Sequence, residues 1–115
     1  SGTDALRMPE KRMSMEKVKS YLDENYKEHI TLELLSQKFY INKYYLTKIF
    51  KETYGVTIIS YLETRRITQA KNLLRFTDMT VDEISAAIGM NDANYLARRF
   101  RKIEGMSPGE YRKKW

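Results

Sequence analysis

The sequence contains no cysteine, so it can form neither a disulfide nor a thiolate metal site. Its one histidine, His29, lies in a polar stretch with no metal-ligand spacing around it, and we expect no metal and no cofactor. No apolar run reaches the roughly 18 residues that cross a bilayer, and no signal-peptide pattern opens the chain. These absences predict a cytoplasmic protein with no membrane partner.

Proline and glycine are also scarce, with two and five residues in 115. Helical spacing of apolar residues dominates after Met13, which predicts an all-α fold. A hydrophobic content of 42% with 31% charged residues is ordinary for a globular domain. The net charge of +6 favours a polyanionic partner, although many basic proteins bind none.

The apolar spacing and the helix-capping residues predict about seven helices. They cover residues 14–26, about 31–39, 42–54 and 57–76, then a short helix from Thr80, a further helix from Asp92 or Asn91, and a final short helix from Ser107-Pro108. Gly55, Gly89 and Gly105 are the predicted stops. The residues expected to face inward are Met15, Val18, Leu22, Tyr26, Leu32, Leu35, Phe39, Leu46, Ile49, Phe50, Ile58, Leu62, Ile67, Ala70, Leu74, Val81, Ile84, Ile88, Leu96, Phe100 and Ile103.

Residues 1–13 show no apolar period and carry Gly2 and Pro9, so we expect a disordered linker or a remnant left by cloning. Such a start suggests a piece of a longer protein. The remainder divides into a first subdomain over 14–56, a linker helix over 57–78 and a second subdomain over 79–115.

An internal repeat is the most informative feature of the sequence. Residues 45–51 (YLTKIFK) align with residues 95–101 (YLARRFR), and Gly55 and Tyr61 align with Gly105 and Tyr111 at the same shift. The preceding short helices align at a shift one residue shorter, and the extra residue falls in the turn before Tyr95. Two copies of a short helix, a turn and a longer helix are therefore present.

Each copy has the parts of a helix-turn-helix, which needs a small residue in the first helix and a second helix with one apolar and one polar-basic face. Ser36 and Ser85 are the small residues. The second turn contains Gly89, whereas the first turn, residues 40–42, has no glycine and is the weaker match.

The outward faces of the two longer helices carry hydrogen-bonding groups first and cations further along, which suits a helix in a DNA major groove. Arg98 can pair with guanine and Asn94 with adenine, while Lys48 can reach guanine and Tyr44 a thymine methyl. An isolated strip of cations is as often a solvated surface, but two at equivalent positions favour DNA. The candidates for base reading are Asn42, Lys43, Tyr44, Thr47, Lys48, Ala93, Asn94, Ala97 and Arg98.

Other residues are placed to hold phosphates, either as cations or at helix N-termini. These candidates are Thr31, Lys51, Thr57, Thr80, Arg101, Lys102 and Arg112. The predicted helix over 57–76 would be roughly 30 Å long, close to the roughly 34 Å between successive major grooves. A single chain could thus place two reading helices one DNA turn apart.

The second copy, in residues 84–90 (ISAAIGM), 95–100 (YLARRF) and 105–112 (GMSPGEYR), resembles the DNA-binding domain of the AraC/XylS family of bacterial transcription regulators. The first copy and the connector are similar to that family too, so the resemblance covers about residues 15–115. Ala97 fits a base-reading role poorly, because it has a methyl group where a base-reading side chain is expected.

The resemblance implies seven helices in a homeodomain-like arrangement of two helix-turn-helix subdomains joined by a long linker helix. It implies recognition helices at 42–53 and 92–104, and double-stranded promoter DNA as the partner. It also implies an activator that contacts RNA polymerase, with a sensing or dimerising domain that is absent from this chain.

Two other functions compete with DNA binding. Catalysis is disfavoured, because a lone surface histidine is usually inert and no cysteine or glycine-rich loop lies near it. A protein-interaction module is suggested by Tyr40, Tyr44, Tyr45 and Tyr54, since tyrosine is enriched at interfaces. The repeat pairs Tyr45 with Tyr95 and favours a core or partly buried position for both.

Overall fold

A computed structural model describes the backbone of residues 2–115 and the side chains of residues 13–115. Seven helices and no strands occur in that part of the chain, which confirms the all-α fold. The helices are α1 (Gly2–Asn25), α2 (Leu32–Phe39), α3 (Lys43–Tyr54), α4 (Ile58–Phe76), α5 (Val81–Ala87), α6 (Ala93–Glu104) and α7 (Pro108–Lys113). None of these described helices is both long and apolar enough to cross a bilayer.

The first helix begins earlier than its predicted start at Ser14, since α1 extends back to Gly2. Ser14 is a residue of the capping type, but here it lies inside the helix and caps nothing. Apolar spacing reports only the part of a helix that packs, so it could not indicate this extension. Ser1 and the side chains of residues 2–12 lie outside the described residues, and the linker assignment for 1–13 stays a prediction about the longer protein.

Polar side chains cap the later helices as their positions in the sequence predicted. Thr31, Asn42, Thr80, Asp92 and Ser107 each accept a hydrogen bond from a backbone N–H in the first turn of α2, α3, α5, α6 and α7. The Thr57 hydroxyl likewise accepts from the Ser60 N–H at 3.1 Å, at the start of α4. Asp92, and not Asn91, is the cap of α6.

Two compact units divide the chain, residues 1–62 and residues 63–115. In the first unit, Met15, Val18 and Leu22 of α1 are 0–1% exposed, as are Leu46 and Phe50 of α3. Phe50 lies in the centre of an aromatic cluster, with its ring 4.8 Å from that of Tyr54 and 5.8 Å from that of Tyr61. The Tyr61 hydroxyl donates to Asp23 at 2.5 Å.

The second unit is built around α6 in the same way. Leu96 and Phe100 are at most 1% exposed, and Phe100 packs edge-to-face against Tyr111 at 5.4 Å. From α4, this unit buries Ile67, Ala70 and Leu74, whereas Ile58 and Leu62 are buried within the first unit. The α4 helix is therefore a core element of each unit. The subdivision into 14–56, 57–78 and 79–115 stays a prediction.

Several side chains expected to face inward are more exposed than their spacing indicated. Ile103 is 42% exposed, and Tyr45 and Tyr95, expected to be core or partly buried, are 41% and 43% exposed. Leu32, Phe39 and Val81 are only half-buried. Periodicity identifies the side of a helix that carries apolar residues, but burial also depends on how far the covering element reaches, which no local pattern reports.

The turns inside the two helix-turn-helix units use the same backbone geometry with different residues. Gly89 has φ +86°, and at the aligned position Tyr40 has φ +56°, the one positive φ of a non-glycine residue in the described chain. A left-handed conformation costs an L-residue roughly 1–2 kcal/mol, and glycine escapes this cost. The first turn thus forms without a glycine, at the expense of backbone strain at Tyr40.

The serines at the aligned small positions lie in these units as the motif requires. The Ser36 hydroxyl donates to the Ile41 carbonyl at 2.6 Å, and this hydrogen bond stabilises the turn before α3. Ser85 is 3% exposed, and its hydroxyl donates to the Asp82 carbonyl at 2.8 Å. Both serines satisfy their hydroxyls locally, so a polar group is tolerated at a tightly packed site.

We expect Phe100→Ala to lower the free energy of unfolding by about 3–5 kcal/mol, because it removes a fully buried ring and leaves a cavity. Ile103→Ala, on the same helix but exposed, should change it by no more than about 0.5 kcal/mol. Denaturant unfolding followed by circular dichroism measures both. Equal losses would show that the two side chains are equally buried in solution.

Candidate nucleic-acid interface

The outward face of α3 is polar and exposed from Tyr44 onward. Tyr44 is 76% exposed, and Thr47, Lys48 and Lys51 are exposed as well. The buried residues of α3 lie on its other side, where Leu46 and Phe50 are fully buried. The structure therefore brings Tyr44, Thr47 and Lys48, which are predicted to read DNA, onto one exposed surface of the first unit, whereas Lys43 is half-buried.

The equivalent face of α6 carries shorter side chains than the face of α3. Asn94, Arg98 and Arg101 are exposed, while Ala93 and Ala97 are half-buried. The two alanines leave a shallow stretch of backbone between the longer side chains, which allows a close approach to another molecule without supplying a hydrogen bond. Arg98 and Asn94 are thus the residues of this face that can donate to a base.

Asn42 and Thr47, two of the predicted base-reading residues, form side-chain hydrogen bonds within the first unit. The Asn42 side-chain oxygen accepts from the Tyr44 and Tyr45 N–H groups at 2.9 and 3.3 Å, which leaves its amide NH₂ for other contacts. The Thr47 hydroxyl donates to the Lys43 carbonyl at 2.8 Å and retains its lone pairs. These two side chains can therefore offer only part of their hydrogen-bonding capacity.

Lys43 forms an ion pair with Glu33, with 3.3 Å between Nζ and Oε1. The pKa of Glu33 is lowered, first by a backbone hydrogen bond at the start of α2 and then by Lys43. The Lys43 and Glu33 side chains are 43% and 65% exposed, so solvent screens the pair, which is weak and can exchange. Lys43 has to leave this carboxylate before it can reach a base or a phosphate.

The threonine candidates for phosphate contact all cap helices. Thr31 and Thr80 accept from Leu34 and Glu83 N–H groups at 3.0 and 3.1 Å, and Thr80 with Glu83 completes a reciprocal capping box. Each hydroxyl accepts in its bond, so its proton is still available to donate. Together with Thr57 they mark N-termini, where helix dipoles favour an anion.

The cationic candidates differ in how free they are. Lys51 and Lys102 are exposed, and Arg101 lies 3.8 Å from Glu110 in a pair that is open to solvent. Arg112 is instead engaged with the end of α4, where its guanidinium donates to the carbonyls of Leu74 at 3.0 Å and Thr77 at 3.2 Å. This geometry favours a structural role for Arg112 over a phosphate contact.

Arg99 and Glu63 form a bidentate pair that the sequence analysis did not single out. The two hydrogen bonds are both 2.7 Å, and they raise the pKa of Arg99. A second pair joins Lys71 to Glu104 at 3.2 Å. Both connect α4 with α6 inside the second unit and help fix the orientation of α6. No pattern in the sequence marks these partners, which lie far apart along the chain.

Among the described side chains, no cluster of three or more His, Asp or Glu residues could hold a metal ion. His29 is exposed in the stretch between α1 and α2. The polar and basic faces of α3 and α6 are thus the chemically distinctive surfaces of the described chain.

A family model described as a helix-turn-helix domain matches residues 35–114, which is most of the chain and includes most of the first copy of the repeat and all of the second. Together with the signature residues around α5, α6 and α7, this match decides the assignment. The chain belongs to the AraC/XylS family.

Curated proteins that are similar in sequence to this chain include helix-turn-helix transcriptional regulators. An uncharacterized helix-turn-helix transcriptional regulator of Escherichia coli, YijO, is 39% identical over 100 residues, covering 87% of this chain and 35% of its own length. This chain spans about a third of the length of such curated relatives.

Among solved structures, the C-terminal domain of AraT, a response regulator from Geobacillus stearothermophilus, has a TM-score of 0.86 at 25% identity, covering 89% of this chain and 85% of that one. The DNA-binding domain of AdpA, solved in complex with a target DNA, has a TM-score of 0.83 at 28% identity, covering 87% and 90%. A probable AraC family regulator from Rhodopseudomonas palustris scores 0.77 at 25% identity, covering 88% and 95%. These likenesses confirm the fold of the AraC/XylS domains.

We expect Arg112→Ala to lower the free energy of unfolding of this AraC/XylS-type domain by about 1–3 kcal/mol, because it removes a charged donor from the carbonyls at the end of α4. The exposed Lys113→Ala is the matched control and should be close to neutral. Thermal unfolding measures both. An unchanged Tm for Arg112→Ala, with weakened binding to duplex DNA, would restore the phosphate role.

Proposed function

We propose that this chain is the sequence-specific, double-stranded DNA-binding part of a bacterial transcription regulator. The observation that carries the proposal is the duplicated exposed face, polar and then basic, on the second helix of each helix-turn-helix. An exposed strip on one helix is commonly a solvated surface. Two such strips in equivalent positions, each backed by a fully buried apolar stripe, favour two copies of one reading device.

The chemistry of the two faces matches base edges in a major groove. Arg98 presents a fork of donors suited to the two acceptors of guanine, and Asn94 can both donate to and accept from adenine. On α3, Lys48 provides a donor for guanine, and Tyr44 provides an apolar ring with a hydroxyl. These four side chains are exposed, so binding does not require the domain to unfold.

Phosphate contacts would supply most of the affinity. The net charge of +6 attracts the duplex, and Lys51, Lys102 and Arg101 are exposed cations beside the reading faces. The capped N-termini of α2, α4 and α5 add backbone N–H groups that suit a phosphate oxygen. Binding of this kind should weaken steeply as salt rises.

We propose further that α3 and α6 enter successive major grooves. The helix α4 contains 19 residues, hence roughly 28 Å of length at ~1.5 Å per residue. Successive grooves on one side of B-DNA are roughly 34 Å apart, and helix-turn-helix proteins usually meet that spacing by forming dimers. One chain with two reading helices would satisfy it alone.

The regulatory role is inferred from the family. We propose an activator that contacts RNA polymerase and acts in the cytoplasm as part of a longer protein, with the sensing or dimerising domain outside this chain. Transcription in vitro tests this role. The promoter carries the DNA sequence that the chain binds, and the complete protein is compared with this chain alone.

A protein-interaction module is the second candidate, because Tyr40 and Tyr44 are 95% and 76% exposed. Salt dependence separates the two functions. If the affinity for duplex DNA falls steeply between about 50 and 200 mM salt, the result supports DNA binding. Absence of duplex binding at low salt would support the interaction module.

Selection of bound sequences from a random duplex pool should yield two short motifs about one helical turn apart, because one chain carries both reading helices. The enriched sequences then define the cognate duplex. Enrichment of a single short motif would contradict the use of both helices.

Lys48 and Lys51, two of the three lysines of α3, offer a matched comparison. We expect Lys48→Ala, and likewise Arg98→Ala on α6, to weaken binding to the cognate duplex by about 1–3 kcal/mol and binding to random duplex much less, because they read bases. Lys51→Ala and Arg101→Ala should weaken both about equally and lower the slope of log affinity against log salt by about 1.

Fluorescence anisotropy titrations at several salt concentrations measure these quantities. Equal losses on both duplexes for Arg98→Ala would remove that residue from the reading role.

A further inference from the structure

Tyr40 is the most exposed large hydrophobic residue of the described chain, at 95%, and its backbone is left-handed, with φ +56°. It lies between α2 and α3, two residues before the Asn42 cap. The aligned position in the second unit is Gly89, with φ +86°. An exposed aromatic ring therefore occupies a position where the other copy of the repeat has no side chain.

The turn itself does not need a tyrosine. The Ile41 N–H donates to the Ser36 carbonyl at 3.1 Å, and in the second unit the Met90 N–H donates to the Ser85 carbonyl at 2.8 Å. The same hydrogen bond thus forms at the end of the short helix with either Tyr40 or Gly89 in the turn. Glycine adopts the left-handed conformation without strain. Because the Tyr40 ring is almost wholly in solvent, packing inside the chain does not offset the strain of its backbone.

Strained residues persist where function requires them, and the position of Tyr40 indicates which function. The residue precedes the helix whose first turn carries exposed Tyr44 and whose next turn carries exposed Lys48. A helix that enters the major groove by its N-terminal turns brings the residues just before it to the edge of the groove, where sugars and phosphates lie.

We propose that Tyr40 is a further DNA-contacting residue, whose ring packs on a deoxyribose and whose hydroxyl donates to a phosphate at the edge of the groove entered by α3. This inference rests on the proposed DNA-binding function. Tyrosine is suited to the contact, since it has an apolar body and a polar tip and loses little conformational freedom when fixed.

Two properties distinguish this contact from the contacts of the base-reading residues and from those of the phosphate-binding lysines. A sugar-phosphate contact carries no sequence information, so it strengthens binding to every duplex alike. A neutral hydroxyl replaces no counterion, so it leaves the salt dependence of binding unchanged. Tyr40 should therefore act on affinity without acting on specificity or on the salt slope.

The test combines Tyr40→Gly with titrations on the cognate duplex and on random duplex. We expect both affinities to fall by a similar factor, about tenfold, with the salt slope of the unaltered chain, while the Tm stays equal or rises by a few degrees because the strain is relieved. Tyr40→Phe should retain part of the affinity, since it keeps the ring and loses the hydroxyl. Ile59→Ala, which alters a side chain that is 71% exposed on α4, is the control and should bind as the unaltered chain does.

Unchanged affinity of Tyr40→Gly for both duplexes would overturn the inference and point to a protein partner for the ring. A loss confined to the cognate duplex would also overturn it, because it would indicate a base contact. In either case the unaltered chain still binds DNA, and the proposed function stands. Failure of the unaltered chain to bind any duplex at low salt would instead remove the function on which the inference rests.

Discussion

The side chains that α3 and α6 bury determine which side of each helix faces outward. Leu46 and Phe50 in the first unit, and Leu96 and Phe100 in the second, are at most 1% exposed, so neither helix can rotate about its axis without exposing a large apolar surface. At about 25 cal/mol per Å² of apolar surface, that resistance amounts to several kcal/mol per helix. This fixed rotation determines which polar side chains of α3 and α6 face outward.

The cations of the chain separate into two groups once their partners are known. Arg99, Lys71 and Arg112 are engaged with carboxylates or carbonyls inside the second unit, where they fix α6 and the end of α4. Lys48, Lys51 and Arg98 are exposed on the outward faces. The net charge of +6 alone therefore does not show which cations can bind phosphates and release the counterions of a polyanion.

Much of this architecture follows from local patterns in the sequence. Capping residues such as Thr80 and Asp92 marked helix starts, and Gly55 and Gly105 marked helix ends, because each solves a backbone problem that any helix end presents. The paired polar faces followed from the repeat. Features that depend on distant partners did not follow, among them the exposure of Ile103, the role of Arg112 and the pairing of Arg99 with Glu63. The left-handed Tyr40 was also not foreseen, because tyrosine is not a residue that predicts that conformation.

Methylation interference at guanine N7 tests the central claim most directly, because this atom lies in the major groove and is a target of arginine and lysine. The account predicts two clusters of interfering guanines about one helical turn apart, on one side of the selected duplex. A single cluster would contradict the claim that both units read DNA. Interference confined to adenine N3, which lies in the minor groove and is methylated in the same reaction, would contradict the assignment of α3 and α6 as the reading helices.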